Sequence, residues 1–272
     1  MNHPLIVAII VLAAACSAAA SDAHAAQVSS LDEAQRLFYN GRYADAAVIA
    51  GELCTSDPAT LVACELRVSA LLFQIRRAIG EKPDRAEALK VCAPCAPLLA
   101  AFIAETRSAQ AIARARLATV PTDEMTLFIL GKLDLNYVWL QLGTLGRKTG
   151  WDEYWEARKS LDTVLETNPH NVRAKVARAW IDYIVDTRLP RGTKWLLGGG
   201  NKKRGLAAVR EAAIANGDVF VRAEAGFALW DMQVRERNVP QALVTASMLA
   251  VEFPDNPELR RFLDTGVPSN PR

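Results

Sequence analysis

Two cysteines in the first half of the chain have a spacing used in thiol chemistry, in the run Cys92-Ala93-Pro94-Cys95. A Cys-x-x-Cys pair at the start of a helix can hold a thiol at a lowered pKa and exchange disulfides with a partner. Redox enzymes of this kind carry the pair after a β-strand, and no strand pattern precedes Cys92. We therefore interpret the pair as a structural disulfide across a proline break. Thiol exchange, metal binding and free thiols are the alternatives.

Two further cysteines, Cys54 and Cys64, bracket Pro58, where we expect consecutive helices to meet. With Cys16 set aside, four of the five cysteines remain, and an even number in an exported chain favours disulfides. A Cys54–Cys64 bond would clamp the first helical unit to the second. Four cysteines allow three connectivities, and the sequence does not choose among them.

A glycine run suggests a phosphate-binding loop, in Gly198-Gly199-Gly200-Asn201-Lys202. Such a loop requires glycine, lysine and then serine or threonine at fixed spacing after a strand, and this run lacks that pattern. We predict instead that Asn201 caps a helix that begins at Lys202. An anion bound at that helix N-terminus, with help from Lys202 and Lys203, is the alternative.

The loop that precedes this run, 189–197, is long and carries a tryptophan and several leucines. Apolar loop residues need burial, so they either complete the core or line a recognition groove. The candidate partner-binding residues of that groove are Tyr183, Asp186, Arg191, Trp195, Leu196 and Leu197.

Composition argues against several functional classes. The chain has three histidines, of which His3 and His24 lie in the first 25 residues, so only His170 remains for metal or triad chemistry. A formal net charge of +2 does not provide the basic field that nucleic acids require. We predict no enzyme activity, no metal, no cofactor and no nucleic-acid partner.

The N-terminus has the pattern of an export signal. An apolar run spans 5–12, small residues follow, and Ala23-His24-Ala25 satisfies the small-x-small rule for cleavage. We predict a signal peptide over 1–25 and a periplasmic mature protein. Cleavage before Cys16, with a lipid anchor on that cysteine, is the alternative. At the other end, 265–272 is expected to be a disordered tail.

The rest of the chain must be helical, because alanine is abundant, aromatic residues make up only 7% and β-type alternation is rare. An alanine precedes a proline by twelve residues four times, each time between two helical patterns. These pairs are Ala46 with Pro58, Ala109 with Pro121, Ala157 with Pro169, and Ala242 with Pro254. The helices are predicted over 31–40, 43–55, 61–79, 84–118 with a break near Pro94 and Pro97, 124–143, 151–166, 171–187, 201–215, 218–236, 239–252 and 256–264. Most of the tryptophans at helical positions are expected in the core; they are Trp139, Trp151, Trp155, Trp180 and Trp230.

The first copy resembles a tetratricopeptide repeat. Its signature positions are Ala34, Leu37, Gly41, Tyr43, Ala46, Leu53 and Pro58. The resemblance implies a single all-α domain over 26–264, an α-solenoid of about five antiparallel helix pairs. Small residues would lie at the helix crossings and prolines at the ends of the second helices. Such an architecture carries many unrelated functions.

A second resemblance is to the periplasmic T-component lipoproteins of tripartite transporters, through the turn Leu196-Leu197-Gly198-Gly199-Gly200 before a late helix. Asn201 stands here where those proteins have aspartate. Three functional hypotheses follow. The first is a scaffold for a protein or peptide in the cell envelope, the second is a solute- or transporter-associated binding component, and the third is thiol-disulfide exchange through Cys92 and Cys95.

Overall fold

The computed structural model describes residues 29–80, 85–188, 197–215 and 217–267. These residues form twelve helices and no strand, which confirms the all-α prediction. The helices are α1 (29–39), α2 (Tyr43–Leu53), α3 (Leu61–Ile79), α4 (Arg85–Val91), α5 (Cys95–Thr119), α6 (Glu124–Val138), α7 (Trp151–Thr167), α8 (Val172–Arg188), α9 (Lys202–Ala213), α10 (Val219–Arg235), α11 (Val239–Glu252) and α12 (Pro257–Thr265). The predicted signal peptide lies outside the described residues.

Consecutive helices pack against each other in pairs: α2 on α3, α6 on α7, α8 on α9, and α10 on α11. The four alanines that stand twelve residues before a proline are all buried, each at most 1% exposed. A methyl group is small enough to let two helix backbones approach closely. The alanine spacing therefore coincides with buried positions on the helices, and the repeat itself stays a prediction.

The break in the long predicted segment 84–118 falls between Val91 and Cys95, around Pro94. Pro97 does not break the helix, which corrects the expectation for that residue. It occupies the first turn of α5, where backbone N–H groups have no intrahelical acceptor, so the missing N–H of proline costs nothing. The predicted helix 124–143 also changes character, because α6 continues into a π-helical segment, Trp139–Thr144.

Asparagine and aspartate side chains fix the starts of the later helices. Asn201 accepts a hydrogen bond from the backbone N–H of Arg204 at 3.0 Å, which confirms the predicted cap of α9. Asp218 caps α10 in the same way, by accepting from Phe220 and Val221. The glycine run is thus a helix boundary.

Two glycines allow close helix crossings. A Cβ atom at Gly205 of α9 would lie 2.7 Å from the carbonyl oxygen of Ala179 in α8. A Cβ atom at Gly131 of α6 would lie 3.0 Å from Leu161 and 3.4 Å from the carbonyl oxygen of Ala157 in α7. Larger residues would push these helix pairs apart.

Both cysteine pairs lie at disulfide distance. Cys54 pairs with Cys64 across the turn at Pro58, with Cα atoms 4.8 Å apart, and Cys92 pairs with Cys95 across the proline break, with Cα atoms 5.3 Å apart. One of the three connectivities left open by the sequence is thereby selected. Cys95 is fully buried at the start of α5.

Helix α3 is the central core helix. Together with the preceding turn it is apolar enough over Pro58–Ile79 to cross a membrane, but 67% of its most apolar window is buried inside the protein. It packs against α2, α5 and α6. Its apolar character therefore serves the core.

The two ends of the helical array contact each other. The side-chain amide of Asn256 donates to the carbonyl oxygen of Tyr39 at 2.7 Å, and Asn40 accepts from the backbone N–H of Asp255 at 3.1 Å. Arg77 near the end of α3 pairs with Glu258 of α12 at 3.3 Å. These contacts join the first and last helices of the array.

Candidate functional site

Three charged side chains from three different helices meet in the enclosed interior. Glu224 of α10 accepts a hydrogen bond from Lys132 of α6 at 2.6 Å through one carboxylate oxygen. Its other oxygen accepts from Arg173 of α8 at 2.7 Å. The guanidinium of Arg173 also lies over the ring of Phe128, 4.6 Å from its centroid, in a cation–π contact.

These charges stabilise one another. Burial alone would raise the pKa of Glu224, but Lys132 and Arg173 outweigh it and lower that pKa to about 2. Burial would likewise lower the pKa values of Lys132 and Arg173, but Glu224 and the nearby Glu65 raise both above their usual values. All three groups are therefore charged at neutral pH.

A second polar group, on α3 and α6, adjoins the first. Glu65 accepts from the hydroxyl of Ser69 at 2.7 Å and from the amide of Asn136 at 3.2 Å, both through Oε1. The Asn136 amide also donates to Ser69 at 2.9 Å. These bonds fix the Glu65 carboxylate in a part of the protein where it is only 4% exposed.

Tyr39 of α1 is the fifth polar residue that borders this interior. Its ring stacks on Phe227 with centroids 5.5 Å apart and on Phe220 with centroids 6.2 Å apart. Burial and the negative charge of Glu224 raise the pKa of its hydroxyl well above the usual value. The hydroxyl is therefore neutral, and it forms no hydrogen bond with any described residue.

We call the space bordered by Tyr39, Glu65, Lys132, Arg173 and Glu224 the inner chamber. The side chains of Lys132, Arg173 and Glu224 are 21%, 24% and 11% exposed, so each of them borders accessible space. Each of five helices contributes one residue to its wall.

A separate polar cluster lies between α5, α6 and α7. Asp134 is fully buried and accepts from the amide of Gln110 at 2.6 Å, while Arg114 binds Glu156 through two nitrogens. Burial and the neighbouring Glu156 raise the pKa of Asp134 to about 8. Its Oδ2 atom is buried and has no hydrogen-bond partner among the described residues. This cluster packs three helices together outside the inner chamber.

The residues predicted to line a recognition groove have varied positions. Tyr183 is 2% exposed, and its hydroxyl donates to Glu236 at 2.8 Å. Asp186 accepts from the backbone N–H of Lys202 at 2.8 Å, and the Leu197 carbonyl accepts from Tyr154. The three others lie outside the described residues; they are Arg191, Trp195 and Leu196. The groove therefore stays a prediction.

The tryptophans divide between core and surface. Trp230 is 9% exposed, and Trp139 and Trp180 meet edge to face with centroids 5.8 Å apart. Trp151 and Trp155 of α7 are 42% and 43% exposed, one helical turn apart. They form an exposed aromatic surface, which we call the tryptophan face.

The chamber residues were not identified from the sequence, because charged residues on amphipathic helices usually face solvent. One signal was available. Lys132 and Asp134 interrupt the otherwise apolar run 127–135, and a lysine in such a run must either reach the surface or pair with a buried carboxylate. The sequence does not show which carboxylate, because Glu224 lies on a distant helix.

Comparisons of this chain with models of protein families, with curated proteins and with solved structures found no match.

Proposed function

We propose that the chain is an exported, non-catalytic binding protein that holds a small solute in its inner chamber. The proposal adopts the second of the sequence-based hypotheses, a solute-binding component of the cell envelope built on tetratricopeptide-like helix pairs. The observation that carries it is the convergence of five polar side chains, one from each of five helices, where the three of the ion-pair group remain partly accessible. Binding sites are typically concave, preformed and provided with a few convergent polar groups.

The closed array favours a small ligand over a folded partner on the inner wall. In an open helical stack the concave surface is free to receive a protein or peptide. Here the contacts of Tyr39 and Asn40 with Asn256 and Asp255 close that surface, and the Lys132–Glu224–Arg173 group occupies the interior. The remaining space suits a solute.

The chamber also supports binding in preference to catalysis. A general base needs a pKa near the working pH, and the pKa of Glu224, at about 2, is far below it. The raised pKa of Lys132 makes that amine a poor nucleophile, because it is protonated at neutral pH. Fixed charges of this kind orient a ligand well and transfer protons poorly.

Native mass spectrometry of the mature protein purified from envelope extract tests the proposal. We expect a bound small molecule that is lost on denaturation, and a raised melting temperature when that molecule is added back. A chamber variant, Lys132→Met, should lose the bound mass. The matched surface variant Lys175→Gln, which breaks the exposed pair with Glu211, should keep it. Identical spectra for the two variants would contradict the proposal.

The tryptophan face favours a second candidate, a protein partner in the envelope. Exposed tryptophans are enriched at binding hot spots, and Trp151 and Trp155 lie side by side on α7. A pull-down from envelope extract should capture a stoichiometric partner, and the double substitution Trp151→Ser with Trp155→Ser should abolish it. Capture that is unaffected by this change would rule the face out.

Export itself is tested by the mass of the mature protein. Cleavage after Ala25 and cleavage before Cys16 with lipid attachment give different masses. A full-length chain starting at Met1 in the envelope fraction, or a protein confined to the cytoplasm, would contradict the export step. Either outcome leaves the chamber argument intact.

A further inference from the structure

We infer that the ligand of the inner chamber is a small zwitterion, with a carboxylate held by Arg173, Lys132 and Tyr39 and an ammonium group held by Glu65. This inference rests on the proposed function and specifies the substrate class of the same site. It follows from the polar atoms of the chamber that form no hydrogen bond with the described residues, and from the charged side chains that border the chamber.

Hydrogen-bond donors remain on one side of the chamber. Arg173 uses only its Nε atom in the bond to Glu224, so both of its Nη groups lack a partner among the residues described. Lys132 donates once, to the same carboxylate, and the Tyr39 hydroxyl makes no bond in the described chain. Buried donors are normally satisfied, and a carboxylate accepts several such bonds at once.

The Arg173 guanidinium is well placed for this task, because it is held at two points. The Nε bond to Glu224 and the ring of Phe128 beneath it fix its plane. A planar guanidinium binds a carboxylate in a bidentate manner, which a flexible ammonium cannot do. Glu224 therefore acts as a positioning residue that orients both cations.

An acceptor remains on the α3 side of the chamber. Glu65 accepts hydrogen bonds from Ser69 and Asn136, both through Oε1. Its Oε2 accepts from no described donor, and it is not completely shielded from solvent. This oxygen therefore reaches accessible space, where an ammonium group can donate to it.

The charge of the site excludes a simple anion or cation. Lys132 and Arg173 contribute two positive charges, and Glu224 and Glu65 contribute two negative charges. A bare carboxylate or a bare amine would add one uncompensated charge to a largely desolvated site, which is unfavourable. A ligand with both a carboxylate and an ammonium group leaves the net charge of the site unchanged. It can still bind the donors of Arg173, Lys132 and Tyr39 and the acceptor of Glu65.

Isothermal titration calorimetry on the unchanged mature protein tests this ligand class. The zwitterions are glycine, L-leucine and L-phenylalanine, and the matched compounds are 4-methylpentanoate, which lacks the amine of leucine, and L-leucinamide, which lacks its carboxylate. We expect at least one zwitterion to bind, and L-leucine to bind at least about tenfold more tightly than either matched compound if it is the one that fits. Equal affinity for a zwitterion and its matched acid or amide would overturn the inference.

Two variants test separately the contacts to the ammonium end and to the carboxylate end of the ligand. Glu65→Gln should weaken the zwitterion about tenfold or more and leave the affinity for the matched acid unchanged or higher, an asymmetry that general loss of structure cannot produce. Arg173→Lys should weaken the zwitterion and the acid together. Lys175→Gln, on the surface, is the control. If a variant does not fold, the comparison of ligands on the unchanged protein decides the question.

The failures of the two proposals are distinguishable. If no zwitterion binds but the purified protein carries another small molecule, the ligand class is wrong and the proposed function stands. If no zwitterion binds and the purified protein carries nothing, both are wrong.

Discussion

The side-chain amide of Asn256 donates to the carbonyl oxygen of Tyr39 at 2.7 Å, and this bond joins residues 217 positions apart. The same asparagine caps α12, because its Oδ1 accepts from the backbone N–H groups of Glu258 and Leu259. One side chain thus starts the last helix and fastens it to the first. With an exposed fraction of 2%, it is almost completely buried.

Replacing Asn256 with serine tests the closure. Serine retains a capping oxygen but has no amide to donate, so the carbonyl oxygen of Tyr39 loses its partner, at a cost of about 1 to 3 kcal/mol in the free energy of unfolding. Asn238→Ser is the matched control, because Asn238 caps α11 and makes no bond to α1. Urea denaturation of both variants measures the difference. Equal destabilisation would show that closure adds nothing to stability.

Glu224→Gln should be strongly destabilising. It leaves Lys132 and Arg173 enclosed without their carboxylate, which costs about 3 to 5 kcal/mol by analogy with broken buried ion pairs. The control is Glu211→Gln, whose exposed pair with Lys175 should contribute about 0.5 kcal/mol or less. Chemical denaturation at neutral pH compares them, and similar losses would mean that the inner ion pairs are fully hydrated.

The same carboxylate makes the protein sensitive to acid. Its folded-state pKa of about 2 lies below the reference value of 4.5, so its stabilising contribution is present above pH 4.5 and is lost as the pH falls toward 2. The Glu224→Gln variant should show a flatter decline of stability over this range. A decline as steep as that of the unchanged protein would assign acid sensitivity to other groups.

Asp134 should give the opposite dependence on pH. Its folded-state pKa of about 8 lies above the reference value of 3.8, so the folded chain holds the proton longer and stability falls as the pH rises through this interval. Asp134→Asn, which resembles the protonated acid, should flatten that fall. Denaturation midpoints at pH 5 and pH 8 measure it, with Asp45→Asn on the surface of α2 as the control. An unchanged slope would show that Asp134 is ionised in the folded state.

Gly205→Ala should destabilise the α8–α9 pair by about 1 to 3 kcal/mol, because the new methyl group would meet the backbone carbonyl of Ala179. Backbone atoms cannot rotate away as a side chain can. Gly217→Ala is the matched control, since its nearest neighbour would lie at an ordinary 3.4 Å. Thermal unfolding compares the two. Equal melting temperatures would mean that the crossing relaxes without cost.

Local features of the fold could be predicted from the sequence. Helix starts follow from caps such as Asn201, and helix crossings follow from alanines such as Ala157, because both depend on residues near one another in the chain. The break at Pro94 follows from the absent N–H group. Pro97 does not end a helix as predicted, because α5 begins between the two prolines. Pro94 precedes the helix, and Pro97 lies in its first turn.

The chamber and the closure could not be predicted, because they depend on pairings between distant helices. Lys132 and Glu224 are 92 residues apart, and each lies in a pattern that also fits a solvent-facing helix position. Tyr39 and Phe227 occupy ordinary amphipathic positions on separate helices. The angles at all the intervening helix crossings together determine which partner each residue meets. The spacing of residues in the sequence does not reveal these angles.

The bond between Asn256 and Tyr39 has a consequence for how the protein is made. The aromatic ring of Tyr39 cannot meet Phe227 and Phe253 until α10 and α11 have emerged, so it stays uncovered through most of synthesis. Contacts between such distant residues form slowly, since a long loop must be ordered first. A chain that ends before α10 would lack Phe220, Phe227 and Phe253 and would leave this ring uncovered and prone to aggregate.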